Sequence, residues 1–506
     1  MMSITSVAYI VFIGISLLIY YAVPHRFKWW VLLADSLVFF FVNSVWYTFG
    51  YLAISVVTVW LAVRYFAREN ARHKKAVLVL TLIVNIGMLA VLKYTNLVIN
   101  TVNFFKTRNG GVSFDTVRFT ASLAISFYTL QIIGYLLDCY WEIDHKEDNI
   151  LKLLLFTSYF PLMISGPISK HSELSGELFR DHEFDYDNLA SGARRIAWGI
   201  LKKVVVADRI AVFADCMFAD PDTYSGIWVI IAAVTYVTDL YFDFSGCMDI
   251  IIGVSRCFDI KLTENFKAPF LSKTIQEFWQ RWHISLGAWL KTYVMYPILK
   301  TRLFSEMAVK LKKKFGKGAK KIPSYIAMFA VWFCMGLWHG NSLKYILGEG
   351  LWFWLVVMLG QIFEPVFEKI KKKLHIKDEN PAFKAFRTIR TVLIFAFGVI
   401  FFNSKDLFAG FYMVGAMFRS NGLITPLKVL YNDAFAAFGG FDALCAVFVI
   451  MILQFVADVR IYHEKPVQTL ITERPLVIRW VLYFAIVLLI VLEGAFGQSR
   501  FIYFGF

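Results

Sequence analysis

The chain has 506 residues, of which 58% are hydrophobic and only 18% charged, and its mean hydropathy is +0.59. Soluble domains carry about a quarter charged residues, so an ordinary soluble protein is excluded. The formal charge of +15 would suggest nucleic acid in a soluble chain, but here Lys and Arg cluster between apolar runs, as the positive-inside bias produces.

Apolar runs of about 20 residues recur from end to end, enough to cross a hydrocarbon core of about 30 Å as helices. Strands of a membrane barrel would be shorter and would alternate. The expected class is an all-α polytopic membrane protein with roughly 11–14 transmembrane helices. The six cysteines show no CxxC or zinc spacing and are assigned to packing.

In chain order, residues 6–23, 29–47, 50–66 and 76–98 read as four spans. The first lacks a basic n-region and a small-residue cleavage site, so it reads as a retained span rather than a leader. The loop Arg64–Lys75, with Arg68, Arg72 and Lys74, marks the inside, and the Arg26/Lys28 loop agrees. The start of the chain and residues 99–120 are then expected outside. Residues 121–138 and 151–167 read as two more spans joined by the polar turn Asp144–Asn149.

Gly166-Pro167 breaks the helix before a polar piece, residues 168–195, which is a candidate interfacial or re-entrant segment of undecided side. Lys202, Lys203, Asp208 and Arg209 interrupt the next apolar stretch, and such charges snorkel, pair or face a polar cavity. A span at 224–242 runs into Tyr241-Phe242-Asp243-Phe244-Ser245-Gly246, with Asp249 beyond it. From there to about 283 no window looks long and apolar enough to cross, so a re-entrant or amphipathic region is expected around the site. Asp243 and Arg281 should each join a polar network, pairing with one another being one option.

The lysine-rich loop Lys300–Lys321 is assigned to the cytoplasm as a topology anchor, with attraction of an acidic headgroup or anionic donor as a further use. Residues 322–341 and 344–366 form a hairpin returning to the basic block Lys369–Arg390. Spans at 389–404, 438–459 and 478–495 complete the chain, with 405–437 outside, 460–479 inside and both termini extracytoplasmic. No internal repeat is visible. A single integral-membrane domain is expected over 1–506, with N-terminal helices 1–138, a core at 151–366 and C-terminal helices 389–506.

Of nine histidines, seven lie in polar loops or at span edges. His283 closes Phe278-Trp279-Gln280-Arg281-Trp282-His283, and His339 lies in Leu337-Trp338-His339-Gly340. His339 is roughly 27 Å of unbroken helix beyond the lysine loop, and Gly336 and Gly340 either break that helix or admit a close neighbour. A buried neutral imidazole can accept a proton near neutral pH and turn a hydroxyl into a nucleophile. No Gly-x-Ser-x-Gly elbow occurs, which favours direct base-assisted transfer over a covalent enzyme intermediate. The plainer alternative is that both histidines are hydrogen-bonded core residues. Asp243, Asp249, His283 and His339 match no standard metal-ligand spacing, and no metal is expected.

The chain resembles the membrane-bound O-acyltransferase family, in particular its bacterial alginate O-acetyltransferase branch, related to teichoic acid D-alanyltransferases. The resemblance is carried by Tyr241–Gly246, Asn265 with Pro269, Phe278-Trp279-x-Arg281-Trp282-His283-x-Ser285-Leu286, Trp289, Tyr293, Leu337-Trp338-His339-Gly340 and the final Phe501-Ile502-Tyr503-Phe504-Gly505-Phe506. Gly166-Pro167-Ile168 adds to it. Two segments depart from that branch. Gly348-Glu349-Gly350-Leu351-Trp352-Phe353 has Trp352 where a histidine is usual, and Ile298-Leu299-Lys300-Thr301 replaces a glycine-rich segment.

The resemblance implies a ring of helices around a thin, tunnelled core with re-entrant segments, with His339 catalytic and His283 its partner. Asp243, Ser245, Asn265, Trp279, Arg281, Trp282, Ser285, Tyr293, Trp338 and Asn341 form the expected substrate-binding or supporting set. It implies transfer of an acetyl group from a cytoplasmic thioester to a hydroxyl of an extracytoplasmic polysaccharide or relay protein. Acetyl-CoA or an acyl-carrier thioester is the donor, and no cofactor is permanently bound. Implied partners are an extracytoplasmic acyltransferase or glycan-modifying protein, a cytoplasmic acyl-carrier protein and the bilayer of a bacterial cell membrane, without nucleic acid. The alternatives are D-alanyl transfer from a carrier thioester and, in another class, a transporter or flippase, to which buried charges and broken spans would be equally suited.

Overall fold

The structure is a computed structural model, and it describes residues 2–108, 111–120 and 123–497. The terminal Phe501–Phe506 motif lies outside the described residues. Among the described residues all the regular elements are helical, and eight helices are long and apolar enough to cross a membrane. Two further apolar helices, Val7–Ala22 and Leu407–Ala416, are shorter. The protein is thus an all-α polytopic membrane protein with fewer long spans than the 11–14 expected. The difference lies mainly in length: the expected spans 6–23 and 121–138 form 16-residue helices, Val7–Ala22 and Ile125–Tyr140, and 151–167 forms a helix of only nine.

The chain packs as two compact units, one of residues up to Trp198 with Cys247–Glu264, the other of Gly199–Gly246 with the chain from Asn265 onward. In the first unit the run expected to span at 151–167 is a nine-residue helix, Ile150–Ser158, followed by a tight turn Phe160–Met163. Nine residues rise only about 13 Å. Asn149 caps this helix by accepting from the Leu151 amide, and Ser36 Oγ accepts from the Phe160 amide at 3.1 Å. Leu153, Leu155, Phe156, Phe160 and Leu162 are buried.

Both ends of the segment lie at the same polar turn. Before it, the Asp148 carboxylate is 3.6 Å from Arg64. After it, His171 Nδ1 is 2.9 Å from Asp144 Oδ2, and the His171 ring lies against Tyr135 and Phe156. Farther on, the Lys28 ammonium donates to the His182 carbonyl, and Arg180 and His182 both reach Asp259. Residues 170–182 therefore share one polar face with the Arg64–Lys75 and Asp144–Asn149 loops, and Ile150–Lys170 does not traverse the unit. Burial opposes ionisation of Asp144, but the His171 hydrogen bond and charge and the His145 amide outweigh it, so its carboxyl stays below the usual range. The depressed carboxyl contributes stability above about pH 4, the unfolded range, and loses it as pH falls through its folded value.

Two further boundaries differ from the expected ones. The fourth helix, Lys74–Arg108, runs well into the expected outer loop 99–120. Helix Ile227–Cys257 continues straight through Tyr241–Gly246 and Asp249, where a break was expected. Tyr241, Asp243 and Ser245 within it all have partners. Asp243 is 2% exposed and receives the Lys203 ammonium at 2.5 Å, while Asp208 holds the same ammonium at 2.7 Å. Lys202 donates to Ser245 Oγ at 3.0 Å, and Tyr241 shares a buried network with Asp458 and Gln454. Arg209 donates to the Glu493 and Phe438 carbonyls. Of the interrupting charges, Lys203 with Asp208 and Arg209 with Glu493 thus form ion pairs, and Lys202 is hydrogen-bonded.

Two outcomes test this arrangement. In intact cells, with the exposed Cys445 replaced, cysteines placed at Lys146, Lys170 and Lys313 should all resist an impermeant outer reagent and react after lysis. Opposite behaviour at Lys146 and Lys170 would mean that Ile150–Lys170 crosses the membrane. Lys203→Met leaves two buried carboxylates without their cation and should destabilise the protein by about 3–5 kcal/mol, read as earlier thermal unfolding in detergent. An unchanged transition would rule out a stabilising role for the ion triplet.

Candidate active site

His283 sits between two short helices, Ile275–Arg281 and Ile284–Leu290, in left-handed backbone (φ 47°, ψ 51°). A side chain in that region costs roughly 1–2 kcal/mol, so the neighbourhood must hold it there. Asn265 does so from one side. Its carbonyl accepts from the Ile284 amide at 3.1 Å and its Oδ1 from the Ser285 amide at 2.9 Å. On the other side Phe266 pairs antiparallel with Trp282, and the Lys267 amide donates to the Arg281 carbonyl. The His283 ring, 2% exposed, meets Phe244 edge-on at 4.8 Å and Trp338 at 5.4 Å.

His339 ends the apolar helix Ile322–His339 and is also 2% exposed. Trp338 lies 5.3 Å from its ring and Phe402 5.5 Å, so the Trp338 indole neighbours both imidazoles. His339 Nδ1 faces the Glu349 carboxylate at 3.0 and 3.1 Å. Glu349 comes from Lys344–Gly350, a widened i→i+5 turn that leads into helix Leu351–Lys373. That turn lies tight on the His339 helix because two glycines admit it. A Cβ on Gly336 would meet the Tyr345 carbonyl at 2.5 Å, and one on Gly350 the Trp332 carbonyl at 2.8 Å. Gly336 therefore serves close approach, not a break.

The expected supporting residues fall into several places. Trp279 and Trp282 build an aromatic wall with Trp332, Phe353 and Phe395, and Asn265 and Ser285 fix the His283 backbone. The Ser285 hydroxyl is buried without a hydrogen-bond partner among the described residues. Asp243 and Ser245 engage Lys203 and Lys202. Tyr293 is buried in a second widened turn, Lys291–Met295, against Trp289. Arg281 pairs with Glu277 at 3.1 Å, donates to the Lys267 carbonyl and lies over the Tyr462 ring, so it and Asp243 have separate partners. Asn341 is exposed just beyond His339.

Glu349 was absent from the expected set, although one signal marked it. It is an acidic residue inside the apolar run 344–366, and an ionisable group at membrane depth is a functional candidate by default. Trp352, standing where the branch usually has histidine, donates its indole N–H to the Ile394 carbonyl. Among the described residues no three His, Cys, Asp or Glu side chains are placed to hold a metal ion.

Residues 144–404, which include both histidines, match the model of the membrane-bound O-acyltransferase family. The chain is 31% identical over 416 residues to a protein named "Probable alginate O-acetylase" from Pseudomonas syringae pv. tomato, covering 80% of this chain and 73% of the relative. It is 32% identical over 364 residues to the peptidoglycan O-acetyltransferase of Helicobacter pylori, covering 66% and 65%. It is 30% identical over 287 residues to the teichoic acid D-alanyltransferase of Bacillus subtilis, covering 56% and 69%. A multi-pass helical chain with two buried histidines beside one tryptophan, matched over more than half its length, is thereby placed: it belongs to the membrane-bound O-acyltransferase family, whose general chemistry is acyl transfer.

Proposed function

We propose that this protein transfers an acetyl group from a thioester, acetyl-CoA or an acyl-carrier protein, to a hydroxyl of an extracytoplasmic polysaccharide or of a relay protein that serves one. The observation that carries the reading is the buried His339, held at the end of an apolar helix with Nδ1 turned to a carboxylate. The broader coverage by relatives named O-acetylases and O-acetyltransferases supports acetyl over D-alanyl transfer. Short helices and widened turns around the two histidines are consistent with a thin core reached from both sides, since irregular backbone at membrane depth needs protein or a water-filled cavity around it.

The acceptor oxygen attacks the thioester carbonyl as His339 takes the hydroxyl proton. A new C–O bond forms, the C–S bond breaks, and the thiolate departs and is protonated by the imidazolium or by water. His283 orients the acceptor or donates to the developing oxyanion, with Tyr293 and Ser285 as its helpers. The thioester supplies the driving force, so the protein aligns two substrates and relieves charge. General-base help is worth roughly 10²–10⁴-fold, and one oxyanion donor about 10²–10³-fold.

Purified protein offered labelled acetyl-CoA, acetyl-carrier or D-alanyl-carrier with a polysaccharide acceptor should move label from an acetyl donor. Transfer of D-alanine alone would reassign the donor, and uptake without covalent transfer would make the protein a transporter. In single turnover with both substrates saturating, His339→Ala should lose nearly all transfer while keeping expression and donor binding, and His283→Ala should retain a trace. A near-normal chemical rate in His339→Ala would return that histidine to packing.

A further inference from the structure

We propose that Glu349 is a positioning residue for the proton transfer: its carboxylate keeps the hydrogen on Nδ1 of His339, so that Nε2 takes the acceptor proton. This rests on the reading of His339 as the base. The geometry is specific. Both Glu349 oxygens lie within 3.1 Å of Nδ1, and both side chains are almost wholly buried. An ionised carboxylate can only accept, so the facing nitrogen carries the hydrogen and the far one keeps its lone pair. A protonated Glu349 would donate to Nδ1 instead and place the hydrogen on Nε2, where no base could act.

The surroundings suit an anion at this position. Lys344, on the same turn, donates to the Phe402 and Ser404 carbonyls at 2.8 and 2.6 Å and lies within electrostatic reach of Glu349 and of Asp406. The cation therefore compensates the acid while bonded elsewhere, and Nδ1 keeps the carboxylate. When Nε2 takes the proton, the new imidazolium has its counter-ion already in contact. A glutamine of the same shape could fill the space but could not supply that charge, and it could equally turn its NH₂ toward Nδ1.

The test is the single-turnover transfer rate against pH for the reconstituted full chain and for Glu349→Gln, Glu349→Asp and His339→Ala. In the parent protein the rate should rise with pH as the imidazole loses its proton. For Glu349→Gln the plateau should fall about 10²- to 10⁴-fold. Its rising limb should also move to lower pH, because the cation has lost its counter-ion. Glu349→Asp keeps the charge at a longer reach, so its limb should stay in place with a smaller loss of rate. A lower plateau with an unmoved limb in Glu349→Gln would mean packing alone and overturn the proposal, as would a parent-like rate and limb. Should Glu349→Gln not fold, Glu349→Ala read in the same way decides: a limb moved to lower pH supports the role, and an unmoved limb removes it. His339→Ala separates the two readings, since normal transfer there fails the base itself, whereas a silent His339→Ala with a parent-like Glu349→Gln fails only Glu349.

Discussion

A polar group enclosed by apolar protein and lipid must find its partner inside the chain. An isolated buried polar group costs several kcal/mol, and an unpaired charge more, whereas a made hydrogen bond returns only about 1 kcal/mol net. This asymmetry organises the second compact unit. Lys203 is held between Asp208 and Asp243, Lys202 reaches Ser245, and Tyr241 meets Asp458 and Gln454. The pairs let helix Ile227–Cys257 carry Asp243 and Ser245 without breaking. The same rule explains the backbone near His283, where Asn265 bonds both following amides.

Three widened turns occur at places where a regular helix would aim a needed side chain elsewhere. Lys202–Ala207 carries both lysines of the buried networks, Lys291–Met295 carries Tyr293, and Lys344–Gly350 carries Glu349. Such turns recur at functional sites because one extra residue rotates the following side chains relative to the preceding ones. In the third, Gly336 and Gly350 supply the backbone contact that brings the carboxylate to the imidazole. Glu349 owes its reach to a turn and two missing Cβ atoms.

These features explain what could be read from the chain. Membrane class and the long lipid-facing helices were legible because length and apolarity are local properties, as in Leu476–Glu493, with no buried residue, or Gly440–Tyr462. The segment Ile150–Lys170 was not, because its leucines and phenylalanines face protein and read the same as lipid-facing ones. The continuation past Tyr241 was hidden because Asp243 and Asp249 look like helix breakers at membrane depth until Lys203 and Arg195 are seen beside them. His283 and His339 stood out by motif. Glu349 did not, since its meaning lies in a contact ten positions away that depends on an irregular turn.

The two histidines sit in unlike surroundings, and that bears on which does what. His283 is fixed through its backbone by Asn265, and its ring lies edge-on to Phe244 and near Trp338. His339 has a carboxylate against one nitrogen and stands at the C-terminus of an 18-residue helix, whose last carbonyls favour a cation by about 0.3–1 kcal/mol. Both effects act on the protonated imidazole that base catalysis creates. On the proposed mechanism the proton therefore goes to His339, and His283 is left to orient the acceptor and meet the oxyanion.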